Sequence, residues 1–345
     1  MKIAMISFTG NGRRLERSLA HELEKEGHQV LQAVKCKELE SDKDAVKCSA
    51  REWTGEQFRT RDVLIFIGAV QIAVRLIASF IGSKTTDPAV LVLDEKGQYC
   101  IPILSGHIGG ANEMAERIAE MAGALPVITT ATDIRGKWAI DVFARKNHLY
   151  IEDMQKAKQI SAKILEGKTV VAAIESGRDS IEGTVPEEVK IVSETYENPD
   201  IYIGIYERKL SSHVLRLIPQ RITVGIGCRR GTSAEQIEQL VDKILKESHI
   251  NKKSIGRIAS IDLKKDEEGL LTFCNKYNIE PEFYPAEELK KVEFSVSTFV
   301  KKVTGVDNVC ERSAVYTGGT LRIRKQAENG VTAAFAWDNW RVKFE

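Results

Sequence analysis

Residues 103–119 read ILSGHIGGANEMAERIA. An apolar run stops at Ser105-Gly106-His107, two adjacent glycines follow at Gly109 and Gly110, and apolar residues then recur at helical spacing from Ala111 to Met121. That order reads as a strand, a tight turn and an amphipathic helix. The same grammar runs upstream. KIAMISFT reads as a buried strand, Gly10-Asn11-Gly12 as a turn and Arg13–Lys25 as a helix closed by Gly27. HQVLQAV is a second strand, DVLIFIG runs into the helix AVQIAVRLIASFIG, and AVLVLDEKGQYCIPIL reads as a strand pair turning at Glu95-Lys96-Gly97. LPVITT adds a strand that ends at Thr129 and Thr130, with Asp133 just beyond. Strands interleaved with helices predict an α/β fold of open, mostly parallel sheets flanked by helices, with ligands at the carboxyl ends of strands.

The rhythm changes after Trp138. IDVFARKNHL and EDMQKAKQISAKILEG read as helical, TVVAAI as a strand, and a polar, turn-rich tract with weak strands runs on to Pro219. Alternation then resumes with the strand RITVGIG, the turn CRRGTS, the helix AEQIEQLVDKILKES, the strand IGRIASID and the helix KKDEEGLLTFCNKYN. STFVKKVTG and VCERSAVYTGG read as helical, and TLRIRKQ with VTAAFAW as a strand pair. The expectation is an N-terminal α/β domain over 1–138, a small middle module over 139–219 and a C-terminal α/β domain over 220–345.

The 345 residues carry a net charge of +1 and are 43% hydrophobic. Near-neutrality removes the simple electrostatic argument for nucleic acid as a partner. No window approaches the 18 or so apolar residues of a membrane span, and the opening MKIAMISFTG is too soon broken for a signal peptide. The six cysteines are scattered with no CxxC, which suits free thiols and a cytoplasmic location. Neither the cysteines nor the isolated histidines offer zinc-site spacing.

Two turns invite chemistry. Ser105–Gly110 and Gly225–Ser233 each follow an apolar strand, hold glycines and open onto an amphipathic helix. Unpaired N–H groups and partial positive charge make a helix start an anion site, and glycines let a ligand approach the backbone. In the second turn Gly227, Cys228, Arg229, Arg230, Gly231, Thr232 and Ser233 stand in sequence, with Ser233 or Thr232 as a natural helix cap. Gly225, Gly227 and Gly231 are spaced one residue too far for the dinucleotide fingerprint, which disfavours a nicotinamide enzyme. The paired arginines suit carboxylates. In the first turn His107 could act as a general base or contact a ligand, or simply bond within its turn. Ser105 is a nucleophile only if a base lies within reach. Asp262, with Lys264 and Lys265, reads either as a helix cap beside solvated lysines or as part of a ligand site. Glu311 lies among small residues ahead of Gly318-Gly319, a helix stop or a close approach to a flat ligand.

PILSGHIGGANEMAERIA, PVITTATDIRGKWAIDVFA, VGIGCRRGTSAEQI, IASIDLKKDEEGLL, STFVKKVTGVDNVCERSA and GVTAAFAW together closely resemble the cobalt-precorrin-5A hydrolase (CbiG) family of oxygen-independent cobalamin biosynthesis. The resemblance spans nearly the whole chain, and the C-terminal part also resembles small stand-alone proteins of the aerobic route. It implies a hydrolase acting on a cobalt-bound, ring-contracted tetrapyrrole. The δ-lactone is opened and the C20 two-carbon unit leaves as acetaldehyde, giving cobalt-precorrin-5B. Cobalt arrives inside the substrate, so no separate cofactor is implied, and partners would be the tetrapyrrole and, transiently, neighbouring pathway enzymes. On that basis His107, Ser105 and Asp133 are the catalytic candidates. Gly106, Gly109, Gly110, Asn112, Thr129, Thr130, Asp262, Glu311 and the 227–233 turn are the binding candidates. A non-catalytic corrinoid carrier using the same turns is the alternative.

Overall fold

Alternation along the first strand sets the first sheet. In β1 (Lys2–Ser7), Ile3 and Met5 face one way while Ala4 and Ile6 face the other, and all four are fully buried. A strand apolar on both faces needs helices on both. Those helices are present in the computed structural model, which describes residues 1–83, 86–130, 134–175, 180–292 and 308–344. The chain divides into two compact units, Met1–Val142 and Phe143–Glu345.

The first unit continues through α1 (Gly10–Lys25), β2 (Gln29–Val34), α2 (Ala50–Thr60), β3 (Val63–Ile67), α3 (Val70–Ile77), β4 (Ala89–Leu93), β5 (Tyr99–Leu104), α4 (Ala111–Ala122) and β6 (Leu125–Pro126). Its sheet has the order β2-β1-β3-β4-β5-β6. Leu19 and Leu23 of α1 and Ala115 and Ile118 of α4 pack on the face of Ile3 and Met5. Trp53 and Phe58 of α2 and Ala73 and Ile77 of α3 pack on the face of Ala4 and Ile6. All neighbours in this sheet are parallel except β4 and β5, which pair Val90 with Leu104 and Leu93 with Cys100. That one reversal matters for function. The carboxyl ends of β5 and β6 lie at the edge of the sheet where β1, β3 and β4 begin.

α5 (Ile140–Lys146) crosses from the first unit into the second. The second unit then holds β7 (Leu149–Ile151), α6 (Met154–Leu165), β8 (Val170–Ile174), β9 (Ile181–Gly183), β10 (Val189–Val192), β11 (Ile201–Ile203) and β12 (Leu215–Pro219). β10-β8-β11-β12-β7 form a sheet that is parallel but for β7. After it come β13 (Ile222–Cys228), α7 (Ala234–Glu247), β14 (Ile255–Ile261), α8 (Glu268–Tyr277), β15 (Glu282–Tyr284), α9 (Ala286–Lys291), α10 (Val309–Val315), β16 (Thr320–Glu328), β17 (Val331–Trp337) and β18 (Val342–Phe344). The third sheet, β15-β14-β13-β17-β16, is parallel on one side of β13 and antiparallel on the other. Ile222, Val224 and Ile226 of β13 point to α7 and α8, where Ile237, Val241, Leu270 and Phe273 complete the core. The opposite face takes α10. A Cβ on Gly225 would stand 1.9 Å from the Cys310 carbonyl oxygen, so only glycine lets that helix lie on the strand.

Several expectations shift. Gly10 and Gly12 belong to α1 itself, because the Thr9 hydroxyl accepts the Gly12 N–H and starts the helix there. LPVITT narrows to a two-residue strand. The helical tract after Trp138 is interrupted by β7, and STFVKKVTG lies outside the described residues.

Candidate functional site

The Ser105–Gly110 turn closes on itself. The carbonyl of Ser105 accepts the Ala111 N–H at 3.1 Å, that of Gly106 accepts the Asn112 N–H at 3.0 Å, and that of His107 accepts the Gly110 N–H at 3.0 Å. The N–H groups of Gly110, Ala111 and Asn112 are thus committed to the turn. Its glycines serve the same closure. A Cβ on Gly109 would lie 2.4 Å from the Cβ of Ser105, one on Gly106 would lie 2.8 Å from Asn112 Oδ1, and Gly110 caps the helix at a φ of +78°. Ser105 itself is held at a φ of +56°, and its hydroxyl donates to the Asp87 carbonyl at 3.0 Å. That bond engages the hydroxyl's hydrogen, and among the described residues no base stands in hydrogen-bond contact with the hydroxyl. Asn112 is buried and its amide donates to Thr130 Oγ1 at 3.0 Å, tying α4 to the segment after β6, while Thr129 is exposed. Asp133, the third catalytic candidate, lies outside the described residues.

His107 is different. Its Nδ1 stands 3.2 Å from both carboxylate oxygens of Asp141 on α5, with the two side chains 13% and 16% exposed. Burial pushes the Asp141 carboxyl up. The hydrogen bond and charge of His107, with the Val142 N–H, outweigh it and hold the group below its ordinary value. An ionised carboxylate can only accept, so Nδ1 of His107 is the donor in this contact. Asp141 carried no signal in the sequence. It sits 34 residues from His107.

The 227–233 turn also satisfies itself. Gly231 N–H donates to the Glu267 carboxylate, Thr232 N–H and Oγ1 both donate to the Arg229 carbonyl, and Ser233 forms a reciprocal capping box with Gln236. The Gly231 N–H, with help from Lys264 and Arg230, holds the Glu267 carboxyl below its ordinary value against the effect of burial. An internal carboxylate therefore fills the cradle expected for a ligand. Gly231, Thr232 and Ser233 are in this sense structural, and Arg230 points to solvent near Glu267. Glu311 is corrected likewise. It is 5% exposed, and its two oxygens take the Lys325 N–H and the Asn308 amide, bracing α10 against β16. Asp262 starts a short 3-10 turn beyond β14, half-buried, without a side-chain cap bond.

Gly227, Cys228 and Arg229 do border a cavity of about 440 Å³ at the carboxyl ends of β13 and β14, where Lys264 and Lys325 also reach it. Burial pushes the Cys228 thiol up, so it is a neutral wall rather than a thiolate.

Three family models match in chain order: Cobalamin synthesis G N-terminal over residues 52–133, Cobalamin biosynthesis central region over 138–219, and Cobalamin synthesis G C-terminus over 222–336. A cobalt-precorrin-5A hydrolase of Priestia megaterium is 35% identical over 298 residues, covering 81% of this chain and 79% of its own. The chain belongs to this family. A cobalt-precorrin-5A hydrolase of Salmonella typhimurium is 35% identical over 293 residues, covering 80% and 82% of the two chains. The crystal structure of a cobalamin biosynthesis protein G homologue from Sulfolobus solfataricus covers 97% of each chain at 24% identity and a TM-score of 0.44. Within this family member, no described helix is long and apolar enough to cross a membrane. Among the described residues no three His, Cys, Asp or Glu side chains converge as a metal site.

Proposed function

We propose that the protein is a cobalt-precorrin-5A hydrolase. It opens the δ-lactone of a cobalt-bound, ring-contracted tetrapyrrole and releases the two-carbon C20 unit as acetaldehyde, leaving cobalt-precorrin-5B. The observation that carries this reading is a likeness to named hydrolases running through all three segments of the chain, at 35% identity over about four-fifths of it. The segments matched by the three family models support a division at about 138 and 219 into N-terminal, middle and C-terminal parts.

The His107–Asp141 pair supports the chemistry. Lactone opening consumes one water: its oxygen bonds to the acyl carbon as a base takes one of its protons, the bond from the acyl carbon to the lactone oxygen breaks, and the departing alkoxide takes that proton back from the base. Nε2 of His107 is that base, and the imidazolium formed is stabilised across the Nδ1–H by the Asp141 carboxylate, as in other histidine–carboxylate pairs. Loss of the two-carbon unit as an aldehyde moves the bond electrons into the conjugated macrocycle, and the cobalt carried by the substrate helps to accept them. The protein then has mainly to hold the ring in place, and the chemistry asks for no second cofactor.

The test is anaerobic turnover of cobalt-precorrin-5A by the purified chain, with acetaldehyde captured as its hydrazone. Release in proportion to cobalt-precorrin-5B formed is the expected result. Tight binding of the tetrapyrrole without release would convert the reading to a carrier.

A further inference from the structure

Resting on the proposed substrate, we infer that the cavity at the carboxyl ends of β13 and β14 receives one acidic corner of the macrocycle, and that Arg229 and Lys325 read its carboxylate arms. In open α/β sheets, ligands settle outside the carboxyl ends of the strands. In the third sheet β13 and β14 run parallel and end side by side at Cys228 and Ile261, and the cavity opens there. Its volume of about 440 Å³ lies low in the roughly 300–1,000 Å³ range of small-molecule sites, room for part of a tetrapyrrole rather than the whole.

The wall is suited to a pyrrole edge that carries short acid arms. Ile261, Val309 and Val331 supply apolar surface, and the buried Cys310 thiol, pushed up to about 11 by burial, adds no charge. Around this surface stand three cations. Lys264 is paired with Glu267 at 3.2 Å, but neither Arg229 nor Lys325 has a carboxylate partner among the described residues. The acid bordering the cavity, Glu328, is drawn off by Lys243 at 2.7 Å. Two unpaired cations over an apolar wall match methylene-linked carboxylates, with the arms' CH₂ groups on the wall and their oxygens on the guanidinium and ammonium. Lys325 is fixed for this role by its own backbone. Its N–H is held at 2.8 Å by the buried Glu311 on α10, which places the residue at the cavity. Glu311 thereby positions a binding residue without touching ligand.

The probe is uroporphyrin, a stable octaacid bearing acetate and propionate arms, compared with its uncharged octamethyl ester on the full-length chain. Binding of the octaacid should weaken by about tenfold in each of Lys325→Gln and Arg229→Gln, the size of one charge-assisted hydrogen bond. Lys290→Gln, at an exposed side chain of α9 paired with Glu287, should leave it unchanged. The octaacid's affinity should fall with salt less steeply in the double variant than in the parent. Equal octaacid affinity in parent and variants of unchanged melting temperature overturns the assignment, as does an ester that binds the parent as well as the acid. The two readings fail separately. Loss of octaacid binding in the variants with no acetaldehyde released by the parent removes the hydrolase and leaves the cavity. Acetaldehyde release at unaltered KM in both variants removes the cavity and leaves the hydrolase.

Discussion

Asp141→Asn keeps the shape of the carboxylate and removes its charge, so it isolates what that charge does for His107. The two groups meet at 3.2 Å with little exposure. A charge-assisted hydrogen bond in such a setting contributes about 1.5–3 kcal/mol, felt most when the imidazole takes up its proton. At about 1.4 kcal/mol per tenfold, kcat should drop by roughly 10–100-fold, with KM little moved. His107→Ala removes the base and should cost roughly 10²–10⁴-fold. Because Asp141 acts through His107, the double variant should be no slower than His107→Ala alone, the non-additivity expected of residues that work as a unit. The assay is anaerobic turnover with hydrazone capture of acetaldehyde, resolved into kcat and KM. Asp141→Glu serves as the partial rescue. Losses that simply multiply in the double variant, or an Asp141→Asn enzyme altered in KM alone, would show that the pair holds the turn together and moves no proton.

Three further outcomes follow from the packing. Gly225→Ala should destabilise the chain by at least the roughly 1–3 kcal/mol of core overpacking, since the new methyl meets the Cys310 carbonyl; an unchanged melting temperature would refute the contact. Ser105→Ala should leave turnover within a few-fold, because the hydroxyl donates its hydrogen to the Asp87 carbonyl; a loss of roughly 10³-fold or more would support the nucleophile. Glu16 is fully buried, and burial raises its carboxyl above the ordinary value near 4.5 in spite of Ser7, the Ala33 N–H and Arg13. A raised folded value means that its contribution is complete below about 4.5 and declines as pH climbs through the folded value. Urea midpoints of Glu16→Gln relative to the parent should therefore improve from about pH 4 to about pH 7, and a relative decline would contradict the burial argument.

The longer strands of the first and third sheets were legible because they are apolar on both faces or alternate, and because glycine turns end several of them. The β4–β5 reversal could be read from Glu95-Lys96-Gly97, where a short loop permits only an antiparallel return. Its consequence was harder to see. Reversing β5 carries the Ser105–His107 turn to the edge where the parallel strands start, away from the end that open α/β sheets favour for ligands. Strand direction is a property of the whole sheet, and no local window contains it. β7 was missed for a similar reason: Leu149–Ile151 is three residues long and gains its ladder only from β12, which lies about 65 residues later.

The candidate site divides along the same line. Residue types at the two turns were readable, but whether their N–H groups await a ligand was not, since that depends on partners distant in sequence. Gly231 is answered by Glu267, 36 residues on, and the α4 start by carbonyls that curl back only because Gly109 lacks a side chain. A glycine turn before a helix is therefore ambiguous by nature. The same small residues that admit a phosphate or carboxylate also admit the chain's own acceptors, and burial favours whichever arrives with the protein. What escapes this self-satisfaction is charge without a partner. Among the described residues Arg229 and Lys325, beside an apolar wall, are that case, and theirs is the charge assigned above to a ligand.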